Sequence, residues 1–372
     1  MSPKKEKKEL SEFEEKLNNW IAKLTHISFI QKIFFVDHLR TMIHASLSLV
    51  ESLEILAKET TNRKFKGIIS EVKGEVEKGR PLSEVLNDYP KVFPPIYVKM
   101  IAAGEMSGKL NETLEQIVVQ MKKTQELRSS IRGAMIYPAV IIIAIVGVAI
   151  FMMTSVLPKM MSLFSEFNAE LPLATRILIK TTNFFSHPLN VIMIIVGVVG
   201  LITLFIFTLK KVYGFRKAIH IINLNLPIIG PVIKQINLAR FSLTLSSLLK
   251  STIPIIEAMD ITADTCTNLQ YQTSLHKIAV EIKSGRPLSE LLAEYDKLYP
   301  PMVTEMIMVG ERSGEVDRLL NELSDFYGSE VDKTMKNFAQ IIEPIIIIVL
   351  GLAVGGVAVA IIMPMYTLVQ AV

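Results

Sequence analysis

Three stretches of the chain contain no Asp, Glu, Lys or Arg: residues 133–158, 181–209 and 344–372. Each holds a run of about 20 apolar residues, the length a helix needs to cross the hydrocarbon core of a bilayer. Inside lipid every backbone N–H and C=O must find its partner within the protein, so such runs fold as helices. The remainder is polar enough to fold in water, since 20% of the 372 residues are charged although half are hydrophobic. This mixture predicts an all-α integral membrane protein with three transmembrane helices and separate soluble domains.

Basic residues set the orientation. Arg128 and Arg132 precede the first apolar stretch, and Lys210, Lys211, Arg216 and Lys217 follow the second. The intervening 159–180 holds only Lys159, Arg176 and Lys180. The positive-inside rule therefore predicts that 1–132 and 210–342 face the cytoplasm, with the N-terminus cytoplasmic and the C-terminus external. The expected domains are an N-terminal amphipathic helix at 1–28, a cytoplasmic helical domain at 29–132 and a transmembrane helix at 133–158. An external loop at 159–187 and a second transmembrane helix at 188–209 follow. A second cytoplasmic helical domain at 210–342, a transmembrane helix at 343–367 and an external tail at 368–372 complete the chain.

Several function classes find no residues to carry them. The single cysteine, Cys266, excludes an intrachain disulfide and reads as a free thiol or core residue in a reducing compartment. No histidines fall at metal-ligand spacing, so no metal or other cofactor is expected. The net charge of +4 is explained by membrane topology without nucleic acid. Residues 1–24 have a basic head but lack the continuous apolar run of a signal peptide. There Leu10, Phe13, Leu17, Trp20, Ile21 and Leu24 share one helical face, which suits packing on the chain's own domain or docking on a partner or membrane.

The chain also repeats itself. GRPLSE occurs at 79–84 and at 285–290, an offset of 285 − 79 = 206. The same offset pairs Phe35 with Phe241, Pro94-Pro95 with Pro300-Pro301, Pro138 with Pro344 and Pro158 with Pro364. Over 79–112 against 285–318, 17 of 34 positions are identical. One gapless shift lays 35–158 on 241–364, which identifies a tandem duplication. Both copies run from a soluble domain into an outward span, so the repeat is parallel. The unmatched apolar segment at 189–209 returns the chain to the starting side.

Helical spacing dominates each copy. The first helix is expected to end near Ser46 and Thr252, and amphipathic helices to cover 49–59 and 62–78. Gly79 and Gly285 suit a left-handed cap, Pro81 and Pro287 the start of a short helix, and the double prolines the start of another. That helix is expected to end at Gly104 and Gly310, with the last beginning near Lys109 and Glu315. Six helices in about 100 residues make a compact bundle. The last helix should continue into the span as a rod, over about 110–157 and 316–363, kinked at Pro138 and Pro344.

The sharpest local motif is G-E-x-S-G, formed by Gly104, Glu105, Ser107 and Gly108, and again by Gly310, Glu311, Ser313 and Gly314. The glycines bracket a tight corner, and the serine suits capping of the next helix. The carboxylate is free to reach backbone donors or an arginine. One reading is a helix corner and the other a partner contact made through the Glu. No acid–base pair accompanies the motif in both copies, so neither reading is catalytic.

With GRPLSE, the double proline, GExSG and Tyr137-Pro138 before the first span, the chain resembles the type II secretion system F domain family, whose members include GspF-like and PilC-like proteins. The resemblance covers about 30–368. It implies a non-enzymatic inner-membrane platform protein that couples a cytoplasmic hexameric assembly ATPase to pilin or pseudopilin extraction and polymerisation. Its implied partners are the ATPase, the pilins, inner-membrane alignment proteins and a second copy of itself, as a homodimer. The implied absence of nucleotide binding agrees with the lack of any G-x-x-x-x-G-K-[ST] loop.

Two departures stand out. The chain has Ala45-Ser46 and Ser251-Thr252 where such proteins often have Gly, which predicts a gentler turn after the first helix. It has Glu343 before Pro344 where the first copy has Tyr137. This acid reads either as a snorkelling interfacial residue or as a group in a polar groove that handles the charged end of a pilin. A transporter or membrane enzyme is the alternative class, but the spans offer few polar groups beyond Thr154, Ser155 and Thr203.

Overall fold

The computed structural model describes residues 26–156, 180, 184, 188–227 and 229–370. Most of the N-terminal helix expected at 1–28 and of the loop at 159–187 lies outside them. Among the described residues every regular element is helical.

The first repeat contains α1 (Phe29–His44), α2 (Leu49–Glu59), α3 (Arg63–Glu77), α4 (Leu82–Asn87), α5 (Pro95–Ser107) and α6 (Leu110–Phe151). A π-helical turn, Met152–Val156, closes α6. Next come α7 (Pro188–Lys211) and α8 (Tyr213–Asn225). The second repeat contains α9 (Ile229–Lys250), α10 (Ile255–Thr265), α11 (Leu269–Glu281), α12 (Leu288–Ala293), α13 (Pro301–Ser313) and α14 (Val316–Gln370). The short helices fall at the expected places because side chains and prolines start them. Ser28 and Gln31 form a capping box on α1, Ser48 caps α2 and Asn62 caps α3.

The chain divides into two compact units. One joins residues up to Leu127 with Ile236–Gly328, and the other joins Arg128–Gln235 with Ser329 onward. The soluble parts of both repeats therefore belong to one unit, whereas the sequence suggested two separate domains. Residues 210–235, expected in the second soluble domain, belong to the other unit. Residues 368–370, expected in the tail, continue α14.

Each repeat is built around three aromatic rings at matching positions, packed edge-on or tilted against one another. In the first, Phe35, Phe65 and Phe93 lie with centroids 5.5–6.3 Å apart. In the second, Phe241, Tyr271 and Tyr299 take the same places, at 5.4 and 5.6 Å. Two hydroxyls enter that core, and each finds a partner: Tyr271 donates to the Leu298 carbonyl at 2.7 Å, and Tyr299 meets Ser274 Oγ at 2.9 Å. Burial raises the pKa of Tyr299 well above its ordinary value, despite the Ser274 bond.

The turn after the first helix departs from expectation. Ser46 has φ 64° and Thr252 has φ 58°, both in the left-handed region. Leu47 N–H closes on the Met42 carbonyl at 3.0 Å, and Ile253 N–H on Leu248 at 3.1 Å. The turn is thus as tight as a glycine turn, and the missing glycine appears as backbone strain. The threonine carries more of it, because its branched Cβ crowds the backbone there.

Among the described residues, three helices are long and apolar enough to cross a membrane: α6, α7 and α14. Exposed Ile143, Leu201 and Leu352 are typical of their surfaces. Pro138 lies inside α6 and Pro344 inside α14, so each repeat's last soluble helix and its apolar run form one continuous helix.

Candidate functional site

GRPLSE and GExSG are two halves of one joint. The α4 helix begins after Pro81, leaving the N–H groups of Leu82 and Ser83 without helical acceptors. Glu105, from α5, supplies both: Oε1 accepts from Leu82 N–H at 2.7 Å and Oε2 from Ser83 N–H at 3.0 Å. In the second repeat Glu311 accepts from Leu288 N–H at 2.6 Å and Ser289 N–H at 3.2 Å, and also from the Ser289 hydroxyl. A carboxylate on two N-terminal amides is a charge-assisted cap that also opposes the helix dipole.

An arginine holds the other side of the joint. Arg80 bonds Glu75 at 3.1 Å and Asp88 at 3.3 Å, tying the end of α3 to the end of α4. Arg286 does the same with Glu281 at 3.3 Å and Glu294 at 2.6 Å. The hydrogen bond from Lys78, then that from Arg80, lowers the Glu75 pKa below its ordinary value. None of these four acids stood out in the sequence. The signal was present, because the 206 offset places an acid at both positions in both copies.

The glycines act differently from the simple expectation. The helices α5 and α13 do not end at Gly104 and Gly310; they continue to Ser107 and Ser313 and close at Gly108 (φ 69°) and Gly314 (φ 76°). Gly104 and Gly310 permit close approach instead. A Cβ on Gly104 would stand 2.5 Å from Thr113 Oγ1, and one on Gly310 would stand 2.9 Å from Val316 Cα. The serines do not cap the following helix. Ser107 Oγ donates back to the Ala103 carbonyl at 2.8 Å, and Ser313 Oγ to Gly310 at 3.4 Å. The residues that precede the following helices are Lys109 and Glu315, so each serine lies two positions before the place of a side-chain cap.

These corners leave specific side chains in solvent. Met106 is 90% exposed, and its counterpart Arg312 is exposed as well. Glu343 is exposed on α14 beside Pro344 and is not part of the corners.

Contacts also join the two repeats within their common unit. Lys123 reaches Asp325 at 2.5 Å and Asn321 at 3.1 Å, and Ser251 donates to Gln116 at 2.6 Å. Lys99 pairs with Glu257 at 2.8 Å. The lone thiol, Cys266, is buried, and desolvation pushes its pKa up to about 12, so it behaves as a core residue.

The duplicated segment has a counterpart in known proteins. The family profile of type II secretion system protein F matches twice, at residues 35–158 and 241–364. The chain belongs to this protein F family. The two matches coincide with the two copies of the internal repeat. The chain is 35% identical over 338 residues to a type IV pilus assembly protein PilC of Thermus thermophilus, covering 90% of this chain and 82% of that one. It is 33% identical over 344 residues to PilC of Myxococcus xanthus, covering 91% and 81%. It is 32% identical over 330 residues to a type II secretion system protein F of Vibrio cholerae, covering 88% and 79%. The protein F family thus contains relatives named for pilus assembly and for secretion, and this chain aligns with both along nearly its whole length.

Proposed function

We propose that this protein F family member is a non-enzymatic platform in the inner membrane, coupling a cytoplasmic assembly ATPase to extraction and polymerisation of pilins or pseudopilins. The observation that carries the reading is the alignment of 88–91% of the chain with relatives named for pilus assembly and secretion. The fold supports it, because each repeat forms a helical unit whose last helix is continuous with an apolar span. In this reading each repeat works as a six-helix bundle in the cytoplasm. The N-terminus is cytoplasmic and the C-terminus external, a second copy of the chain completes a dimer, and alignment proteins adjoin the platform. Pro138 and Pro344 are the points of flexion, since a proline there removes a helical hydrogen bond.

The corners are the proposed partner contacts. Gly104, Glu105, Ser107 and Gly108, with Gly310, Glu311, Ser313 and Gly314, set the geometry, and exposed Met106 and Arg312 meet the partner. Glu343 is the proposed group that receives the charged end of a pilin at the membrane edge. The test is deletion of the gene, imaging of surface filaments and assay of secretion, then complementation with Met106→Glu, Arg312→Glu, Glu343→Gln, Pro138→Ala or Pro344→Ala. Loss of filaments or secretion on deletion, with stable corner variants that fail to restore them, is the expected result. A deletion without either phenotype refutes the platform. Full rescue by both corner variants refutes the contact. Normal assembly with Glu343→Gln removes that residue's role. Proline variants lost from the membrane through misfolding speak against the flexion points.

A further inference from the structure

The helix α8 (Tyr213–Asn225) contains no buried residue. Its apolar residues Phe215, Ala218, Ile219 and Ile222 recur at i, i+3, i+4 and i+7, which places them on one face. Ile222 is 57% exposed. The opposite face carries Lys217 and His220, with Arg216 toward its edge and Tyr213 and Leu224 beside them. A helix of this kind, on a soluble protein, would ordinarily bury its apolar stripe.

Its position supplies the missing solvent. The apolar helix α7 ends at Lys210 and Lys211, and only Val212, with extended backbone (φ −100°, ψ 101°), separates it from α8. Phe215 packs edge-on against Phe205 of α7 at 5.8 Å, and Lys211 Nζ lies 4.7 Å from the Phe207 ring. The start of α8 is therefore fixed to the basic end of a membrane-crossing candidate. Lys210, Lys211, Arg216 and Lys217 cluster within eight residues with no acid between them.

We infer that α8 lies in the membrane surface, its apolar face among acyl chains and its basic residues among anionic lipid headgroups. Amphipathic helices with basic polar faces bind at this depth, and juxtamembrane basic clusters are drawn to anionic lipid. A bent span made of α8 and α9 fits less well. All residues of α9 from Phe241 to Leu248 are enclosed by protein. The inference rests on α7 crossing the membrane and not on the platform function.

The full chain carrying Cys266→Ala is reconstituted in vesicles of phosphatidylethanolamine and phosphatidylglycerol. A fluorescent label is attached to single cysteines at Ile222→Cys, Lys217→Cys or Ile202→Cys, the last being the depth reference in α7. A shallow spin-labelled lipid should quench the label at 222 about three-fold more than that at 217, while iodide should show the reverse preference. Replacing phosphatidylglycerol by phosphatidylcholine should weaken lipid quenching at 222. Equal access of iodide to 222 and 217 overturns the inference, as does a label at 222 shielded from both quenchers, which would mean protein covers it. Unchanged quenching without phosphatidylglycerol overturns the role of anionic lipid. Iodide reaching 202 removes the span on which the inference rests.

Discussion

The first helix of the two repeats, α1 and α9, occupies the same place in the same fold but meets different surroundings. From Phe241 to Leu248 every residue of α9 is buried. At matching positions of α1, Phe35, Val36 and Leu39 are buried, while His38 and Thr41 are exposed. The last helices show the opposite trend. Gln120 of α6 is 3% exposed, whereas its counterpart Phe326 of α14 is 41% exposed. One turn before Gln120, Gln116 bonds Ser251 of the second repeat. Duplication thus preserved the joint, which each repeat closes for itself, while the outer faces diverged according to their neighbours. Lys99 pairs with Glu257, but the matching positions are Glu305 and Glu51. Repeating that contact from one chain to the next would set two carboxylates together, which disfavours open-ended stacking.

The largest expected effect comes from the glycines of the joint. Gly310→Ala presses on backbone that cannot yield and should cost about 3 kcal/mol. Gly104→Ala presses on the Thr113 side chain, and should be relieved in part by Thr113→Ala, which the Gly310 variant has no means to match. Thermal unfolding of the purified chain in detergent measures both. Glu105→Ala and Glu311→Ala each strand two backbone donors, and should each cost about 2 kcal/mol. Equal losses would show that the joints are equivalent, and a large difference would break the comparison.

The aromatic cores can be separated in the same way. Ser274→Ala removes the acceptor of the buried Tyr299 hydroxyl and should cost about 1–2 kcal/mol. Adding Tyr299→Phe should recover most of it, since Phe93 opposite Ile68 in the first repeat needs no such bond. In the turns, Thr252→Gly should stabilise by about 0.5–1 kcal/mol and Ser46→Gly by less, because relief of left-handed strain exceeds the entropy glycine loses on folding.

The smallest expected effect is one of pH. Asp37 bonds Lys122 at 2.9 Å, and this bond, more than Arg40, lowers its pKa below 3.8 against a raising effect of burial. A carboxylate whose pKa falls on folding stabilises the native state above its unfolded pKa, and that contribution is lost as pH drops through the folded value. The second repeat has Leu243 and Gly328 at these positions, so it lacks this dependence. Asp37→Asn should flatten the acid limb of the unfolding profile below pH 3.8, whereas Leu243→Met should leave it unchanged.

Much of the fold was legible in the sequence because it is written twice. The 206 offset located the duplicated region, and proline and glycine located the short helices to within about two residues. The role of the motifs was harder to read. GExSG on its own suggests a serine cap and a stop at the first glycine, whereas the helix stops at the second glycine and the serine bonds back into it, and the partner of Glu105 lies 22–23 residues upstream in GRPLSE. Spacing rules describe contacts within one helix and are silent on a carboxylate that crosses between helices. The strain at Ser46 and Thr252 was hidden for a similar reason. Side-chain type predicts preferred backbone angles, but tertiary closure of the turn overrides the preference.

The distance in chain between Glu105 and the amides it caps bears on how the protein emerges from the ribosome. The helix α4 is six residues long, too short to persist by itself, and its cap arrives only when α5 has been synthesised. Closing a loop of this size is entropically inexpensive and fast. Each repeat therefore carries its own early folding latch, set about twenty residues after the helix it secures and before its apolar span is made. Each joint is therefore able to close without the other repeat, and the two repeats then pack into their common unit.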